Sequence, residues 1–469
     1  MLDLLVTDPL KLVVFFVFVS ITAAIVFVNM KNPKRLLLFL VFYIPLSFKT
    51  NSGSLSLYLA ILLFVLLLFI KHEGSEESFW TFDSLLVVII FLASILSILF
   101  AETHANLFVL NKNMKIMINP RYMLGITMLS NIVLYLMLKR FITNKDDIIK
   151  ALKYIVISGT VATAAAYLQI LNRGLFLFKY IVVAEHERLI KRIAGTMQGY
   201  EMLAEYTAIL LIFAFLLLFL SEKRWQKVVY AAVIINFGIV MTLTQTRGIY
   251  VAIAITMFYF LFLFFISGQL KIGAKYLFGI IGIMFCMIVF IFVIDQLRPE
   301  ARFIERFERF ERIDIEKGKF DTRNIAWQRG INYIKEMSPK EKIIGANNKY
   351  LGQGEVEERV AERINWPHCL YMSYILRDGY LGLSLFLIFI AWLYKGSIVG
   401  ILRQKTIDDK ELFMISVALH MALIIFVVDE IKIEFIRHDR TQNIYWVFFG
   451  LISTLSILVK KRLAIVKGK

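Results

Sequence analysis

Cysteine is nearly absent: two residues in 469, Cys286 inside an apolar block and Cys369 where a polar stretch meets the next block. That excludes a disulfide framework and argues against a thiolate metal site. Charge is scarce as well. Asp, Glu, Lys and Arg make up 19% of the chain, where a soluble domain carries about a quarter. No internal repeat, heptad run or low-complexity segment occurs. There is also no Walker loop, dinucleotide fingerprint or HExxH motif, so nucleotide hydrolysis within this chain is not expected. The first apolar block, 12–28, lacks a small-residue cleavage site and reads as a retained span rather than a signal peptide.

What fills the chain instead is apolar sequence, 59% of it hydrophobic and 14% aromatic. It comes in blocks of roughly 15–25 residues, the length that carries a helix across the hydrocarbon core. The blocks fall at 12–28, 36–48, 54–70, 84–100, 123–138, 149–171, 202–220, 227–244, 249–267, 276–294, 380–400, 412–428 and 443–459. The fold class expected is an all-α polytopic membrane protein of about 12 or 13 transmembrane helices. The short block 36–48 is the one in question, and with it the side of the N-terminus.

The formal charge of +17 sits in short loops, "KNPKR" (31–35), "KRFITNKDD" (139–147) and "EKRWQK" (222–227), and in the tail "KKRLAIVKGK" (460–469). This is the distribution of cytoplasmic loops under the positive-inside rule. Aromatic–basic repeats that would indicate nucleic acid are missing. With the basic tail inside, residues 101–122, 172–201 and 295–368 fall outside. The chain then divides into spans with short loops (1–294), one large, partly helical outer loop (295–368), and the last spans with the basic tail (369–469). A loop of that length in a compact protein carries structure or function. Its segment "ARFIERFERFERIDIEK" (301–317) spaces Phe303, Phe307 and Phe310 as an amphipathic helix, either on the membrane surface or solvated.

Polar residues cluster where spans meet the outer side. "HERLIKRIAGTMQGYEMLAEY" (186–206) brings Arg188 and Arg192, then Gly195 and Thr196, to a helix start, where backbone N–H groups and guanidinium can face an anion. The plain alternative is charge anchoring of a helix end. "MTLTQTRGIYVA" (241–252) places Arg247 and Gly248 in the turn between two spans. A cation there is costly and is a functional candidate, its fork suited to diphosphate or carboxylate; a snorkelling hairpin cap is the other reading. In 321–350, Arg323 and Trp327 share one helical face until Pro339 and Gly345 break the helix. "WPHCLYMSYILRDGYLG" (366–382) opens on His368, either a histidine at a helix entry or a base for an attacking hydroxyl. His104, His186 and His438 lack ligand spacing, so no metal is expected. "DEIKIEFIRHDRTQN" (429–443) either lines a polar cavity or is solvated loop.

Taken together these segments resemble the O-antigen ligase and Wzy polymerase superfamily of membrane glycan-joining enzymes. "HCLYMSYILRDGYLG" is similar to that family's His-Asn-x-Tyr-Leu run ending in an acidic residue, Gly and a second Gly, with His368, Tyr371, Asp378, Gly379 and Gly382 in register and Cys369 in place of the Asn. "RNIAWQRG" resembles its Arg-x-x-x-Trp segment, "TQTRGIYVA" its Ser-Arg-Gly motif with Thr246 as the Ser, and "RIAGT" its Arg-x-x-Gly-Thr segment. The resemblance covers residues 185–385 and implies a glycosyltransferase in the inner (plasma) membrane with its site facing outward. Its donor would be a glycan on a polyprenyl diphosphate, and its acceptor a lipid or glycan hydroxyl. No cofactor or metal is implied, and no nucleic acid. Arg192 and Arg247 would hold the leaving diphosphate and His368 would take the acceptor proton. Arg188, Arg323, Trp327 and Tyr371 would contact substrate, Tyr371 orienting the histidine or the sugar. Ligase and polymerase are not separated by these motifs. A transporter would be equally basic and polytopic, but charged residues deep in the spans are not evident from the sequence.

Overall fold

In the computed structural model, residues 32–47, 49–50, 53–68, 81–100, 108–110, 116–118, 120–171, 193–197, 199–268, 322–346 and 367–467 are described, with a few isolated positions besides. Their helices are α1 (Pro33–Tyr43), α2 (Leu55–Leu68), α3 (Phe82–Phe100), α4 (Pro120–Phe141), α5 (Lys145–Leu171), α6 (Tyr200–Leu220) and α7 (Arg224–Leu243). Then follow α8 (Arg247–Ile266), α9 (Thr322–Glu336), α10 (Pro339–Ile344), α11 (Leu370–Leu402), α12 (Lys410–Asp429) and α13 (Asp439–Lys467). The architecture is all-α, as expected, with two small antiparallel ladders besides, Lys49–Thr50 with Gly53–Ser54 and Phe108–Leu110 with Ile116–Ile118.

Among the described residues, nine helices are long and apolar enough to cross a membrane, which makes this a multi-pass membrane protein. The blocks 12–28 and 276–294 and the amphipathic stretch 301–317 lie outside the described residues. Block 36–48 is an 11-residue helix. Asn32 caps its start with Pro33 in the first turn, and Pro45 follows in a 3-10 turn. Eleven residues at about 1.5 Å each fall short of a crossing. α2, at 14 residues, is short as well.

The outward faces are apolar. On α3 the exposed stripe is Leu85, Ile89, Leu92, Leu96 and Leu99; on α8 it is Val251, Ile255, Phe258, Phe262 and Phe265. Three-to-four-residue spacing keeps each stripe on one face, where water would be a poor solvent and lipid a good one. The buried face of α3 carries Asp83, Ser84, Ser94 and Ser97. α6, α12 and α13 are buried along most of their length and form the middle of the bundle. α6 packs on α7 and α12, α13 on α4 and α11, and α8 on α12. α11 starts at Leu370, ten residues before the block expected at 380–400, because Cys369 is extended and the Leu370 N–H is taken by the Glu430 carbonyl at 3.0 Å. The helix therefore begins inside the His368 stretch.

Candidate functional site

Several chain segments meet at one end of the bundle: the start of α6, the α7–α8 turn, the entry to α11, and the connection from α12 to α13. The connection, residues 430–438, is the centre. Asp429, Glu430, Ile433, Glu434 and Phe435 are all buried, which rules out the solvated-loop reading of this stretch. Ile433 and Phe435 turn into the core, where Phe435 packs on Phe426 and Tyr445. Glu430 fixes the shape of the segment. Its carbonyl accepts from Leu370 and its Oε2 accepts from the Phe435 N–H at 2.9 Å.

The α7–α8 turn packs on this segment. Gln245 takes a left-handed backbone at φ 55°, Thr246 caps α8, and Arg247, partly exposed, is its first residue. The next position, Gly248, lies directly under the Lys432 side chain; a Cβ there would collide with the lysine stem. Lys432 Nζ is 2.5 Å from Asp429 Oδ1. The turn thus places Arg247 next to the residue that packs against a second cation.

The α11 entry packs on the other side. His368 also has a left-handed backbone, φ 49°. A non-glycine residue held there is uncommon and marks a site whose surroundings fix the chain. Here the Trp327 indole N–H donates to the His368 carbonyl at 3.3 Å, and Gly330 of α9 lies against Pro367 and Met372. His368 Nδ1 is 4.0 Å from Glu434 Oε1, with the carboxylate side chain 1% exposed and the imidazole 29%. Cys369 is buried, and burial raises its thiol above the ordinary range.

From α6, the wholly buried Glu205 faces the same region, beside Tyr445 and within electrostatic reach of Asp429 and Lys432. Burial, reinforced by Glu205, Asp429 and Glu434, raises the Glu430 carboxyl well above its usual range, against the opposing Phe435 N–H. Glu205 lies in the second turn of α6, a buried charge that the sequence did not mark, and a buried Lys139–Asp83 pair at 2.8 Å, to which Tyr135, Ser84 and Ser453 also bond, joins the last turn of α4 to the first turn of α3. Single charges inside long apolar windows leave no composition signal.

The candidates read from the sequence separate accordingly. His368 and the Arg247–Gly248 turn come to the same segment, and Trp327 supports His368 through its backbone. Tyr371 donates its hydroxyl to the Val427 carbonyl at 3.1 Å, which ties α11 to α12. Asp378, Gly379 and Gly382 stand away from His368. Asp378 pairs with Arg377 at 2.6 Å, and Gly379, at φ 70°, forms a kink that meets the α10 exit. Arg188 and Arg192 lie outside the described residues, and so does the Arg323 side chain. Downstream of Arg192, the Ala194 and Gly195 N–H groups both donate to Gln169 Oε1, at 3.1 and 2.9 Å, so these two are not left to face an anion. Lys432, Glu434, Glu430, Asp429 and Glu205 were not singled out from the sequence. The available signal was the alternation of charged residues with Ile and Phe in 430–435 and a lone Glu in an apolar span. Among the described residues no group of His, Cys, Asp and Glu is arranged to hold a metal ion. No protein-family model matches this chain, and no curated protein matches it.

Proposed function

We propose that the chain is a membrane glycosyltransferase of the O-antigen ligase type, moving a glycan from a polyprenyl diphosphate carrier to an acceptor hydroxyl on the outer face of the inner (plasma) membrane. One observation carries the reading: His368 and the Arg247–Gly248 turn, about 120 residues apart in the chain, border the same buried segment, His368 at Glu434 and Gly248 under Lys432. A base and a fork-shaped cation then stand at one end of an apolar bundle, as a lipid diphosphate donor requires. In the proposed step the acceptor oxygen attacks the anomeric carbon with inversion, and the bond from that carbon to the diphosphate oxygen breaks. The acceptor proton passes to His368 and the diphosphate leaves against Arg247 and Arg192. The same residues would serve a polymerase, whose acceptor is a second carrier-linked glycan.

Purified protein in liposomes, given a polyprenyl-diphosphate glycan and separate lipid and glycan acceptors, tests this by mass analysis. Acceptor enlarged by the glycan is expected for a ligase, and lengthened glycan still on its carrier for a polymerase. Donor recovered intact with every acceptor sinks the reading. A second reading, a transporter of lipid-linked glycan, is favoured by one fact, the buried carboxyls Glu205 and Glu430 at the bundle end. It expects intact donor to appear in the opposite leaflet.

A further inference from the structure

The proposed base needs more than a place to stand. An imidazole that abstracts a proton through one nitrogen must hold its own proton on the other, and the resulting cation needs a counter-charge. His368 points Nδ1 at Glu434 Oε1 across 4.0 Å. Such contacts are often long before substrate binds and tighten in the complex. The burial is graded in the right sense, with the carboxylate at 1% exposure behind the ring and the imidazole open at 29%. Both partners are held by backbone. The Trp327 indole grips the His368 carbonyl, and Leu370 is bonded to the Glu430 carbonyl. On the other side, Phe435, next to Glu434, is bonded to the Glu430 carboxylate. Among the described residues, Cys369 at the α11 entry and Glu430 in the connection lie within electrostatic reach of Glu434; Glu430 is in turn within reach of Tyr371, of Glu205 from α6 and of Asp429 at the end of α12, which pairs with Lys432.

We propose that Glu434 is a positioning residue for His368: it accepts the Nδ1 proton, turns Nε2 toward the acceptor hydroxyl, and stabilises the imidazolium formed when that hydroxyl gives up its proton. The proton's source rests on the glycosyl-transfer reading; the pairing itself does not. Two measurements test it. In ¹⁵N-histidine-labelled protein, with the His368 signals assigned by their loss in His368→Gln, the neutral ring is expected as the Nδ1–H tautomer. In Glu434→Gln, the His368 titration midpoint and the acid limb of the transfer-rate profile should both move down by about one pH unit, the lower end of what an adjacent opposite charge produces. An Nε2–H tautomer in the unaltered protein overturns the proposal without any variant that must fold. So does a folded Glu434→Gln whose midpoint stays in place, because a merely structural glutamate would change yield and not titration. If tautomer and midpoint behave as expected while the unaltered protein transfers no glycan, the pairing stands and the glycosyl-transfer reading falls.

Discussion

At the residue scale, the candidate site rests on side chains whose identity was visible in sequence and on partners that were not. His368 and Arg247 stand out locally, as a lone imidazole before an apolar run and as a cation in a turn between two spans. Lys432 and Glu434 do not stand out, because each acts through a neighbour distant in the chain, Gly248 and His368 respectively. His368→Ala is expected to cut glycan transfer by roughly 10²–10⁴-fold, the usual worth of a general base. The check is the initial rate in liposomes, with size-exclusion elution unchanged; near-normal transfer would return His368 to the role of a helix-entry residue. Arg247→Lys keeps the charge and loses the planar fork, so transfer should fall at least about tenfold, or ~1.4 kcal/mol in the barrier. A mild loss would instead mark Arg247 as a hairpin cap.

At the element scale, the run from Asp378 to Gly382 shows what periodicity cannot reveal. Its register with a known motif was legible; its job was not, because the job depends on Gly345 and Ile343 across the fold. Gly379 and Gly345 both sit at positive φ, 70° and 86°, and lie backbone against backbone, Gly379 on the Ile343 carbonyl and Gly345 on that of Arg377. The Ala346 N–H closes the contact on the Leu376 carbonyl at 3.0 Å. Arg377 pairs with Asp378 and lies over the Tyr374 ring at 4.8 Å, while its carbonyl accepts from Ser97 of α3. The clasp therefore joins α10, α11 and α3. Pro339 and Gly345 as helix breakers were readable in advance, and α10 does run from Pro339 to Ile344. Gly379→Ala should lower stability by at least about 1–3 kcal/mol, because a backbone at φ 70°, ψ −175° is essentially reserved for glycine, before any displacement of α10. Thermal melting in detergent measures it. A melt equal to the parent would mean that the kink is free to relax into ordinary helix.

At the scale of the whole molecule, apolar blocks predict the bundle because lipid selects outward faces, and lipid acts on every span at once. The same logic hides the interior charges. A single carboxyl within a long apolar window leaves the average unchanged, so Glu205 is invisible until helices meet, and Asp83, at the edge of its block, has no visible partner until Lys139 packs on it. Burial of a carboxyl at the bundle end makes stability depend on pH, and for Glu430, outside the spans, the sign follows from its surroundings. Burial first, then the charges of Glu205, Asp429 and Glu434, raise its folded-state affinity for a proton, with the Phe435 N–H pulling the other way. An unfolded glutamate releases its proton near 4.3 or so. Between that point and the raised folded value, the folded chain binds more protons than the unfolded one. Stability is then full below the unfolded value and declines as pH rises through the folded one. Glu430→Gln removes the titration and keeps an oxygen for the Phe435 N–H. The variant should melt above the parent by a margin that widens from pH 5 to pH 9, followed by circular dichroism in detergent. A margin constant across that range would mean that the Glu430 carboxyl meets no greater resistance to ionising in the folded protein than in the unfolded chain.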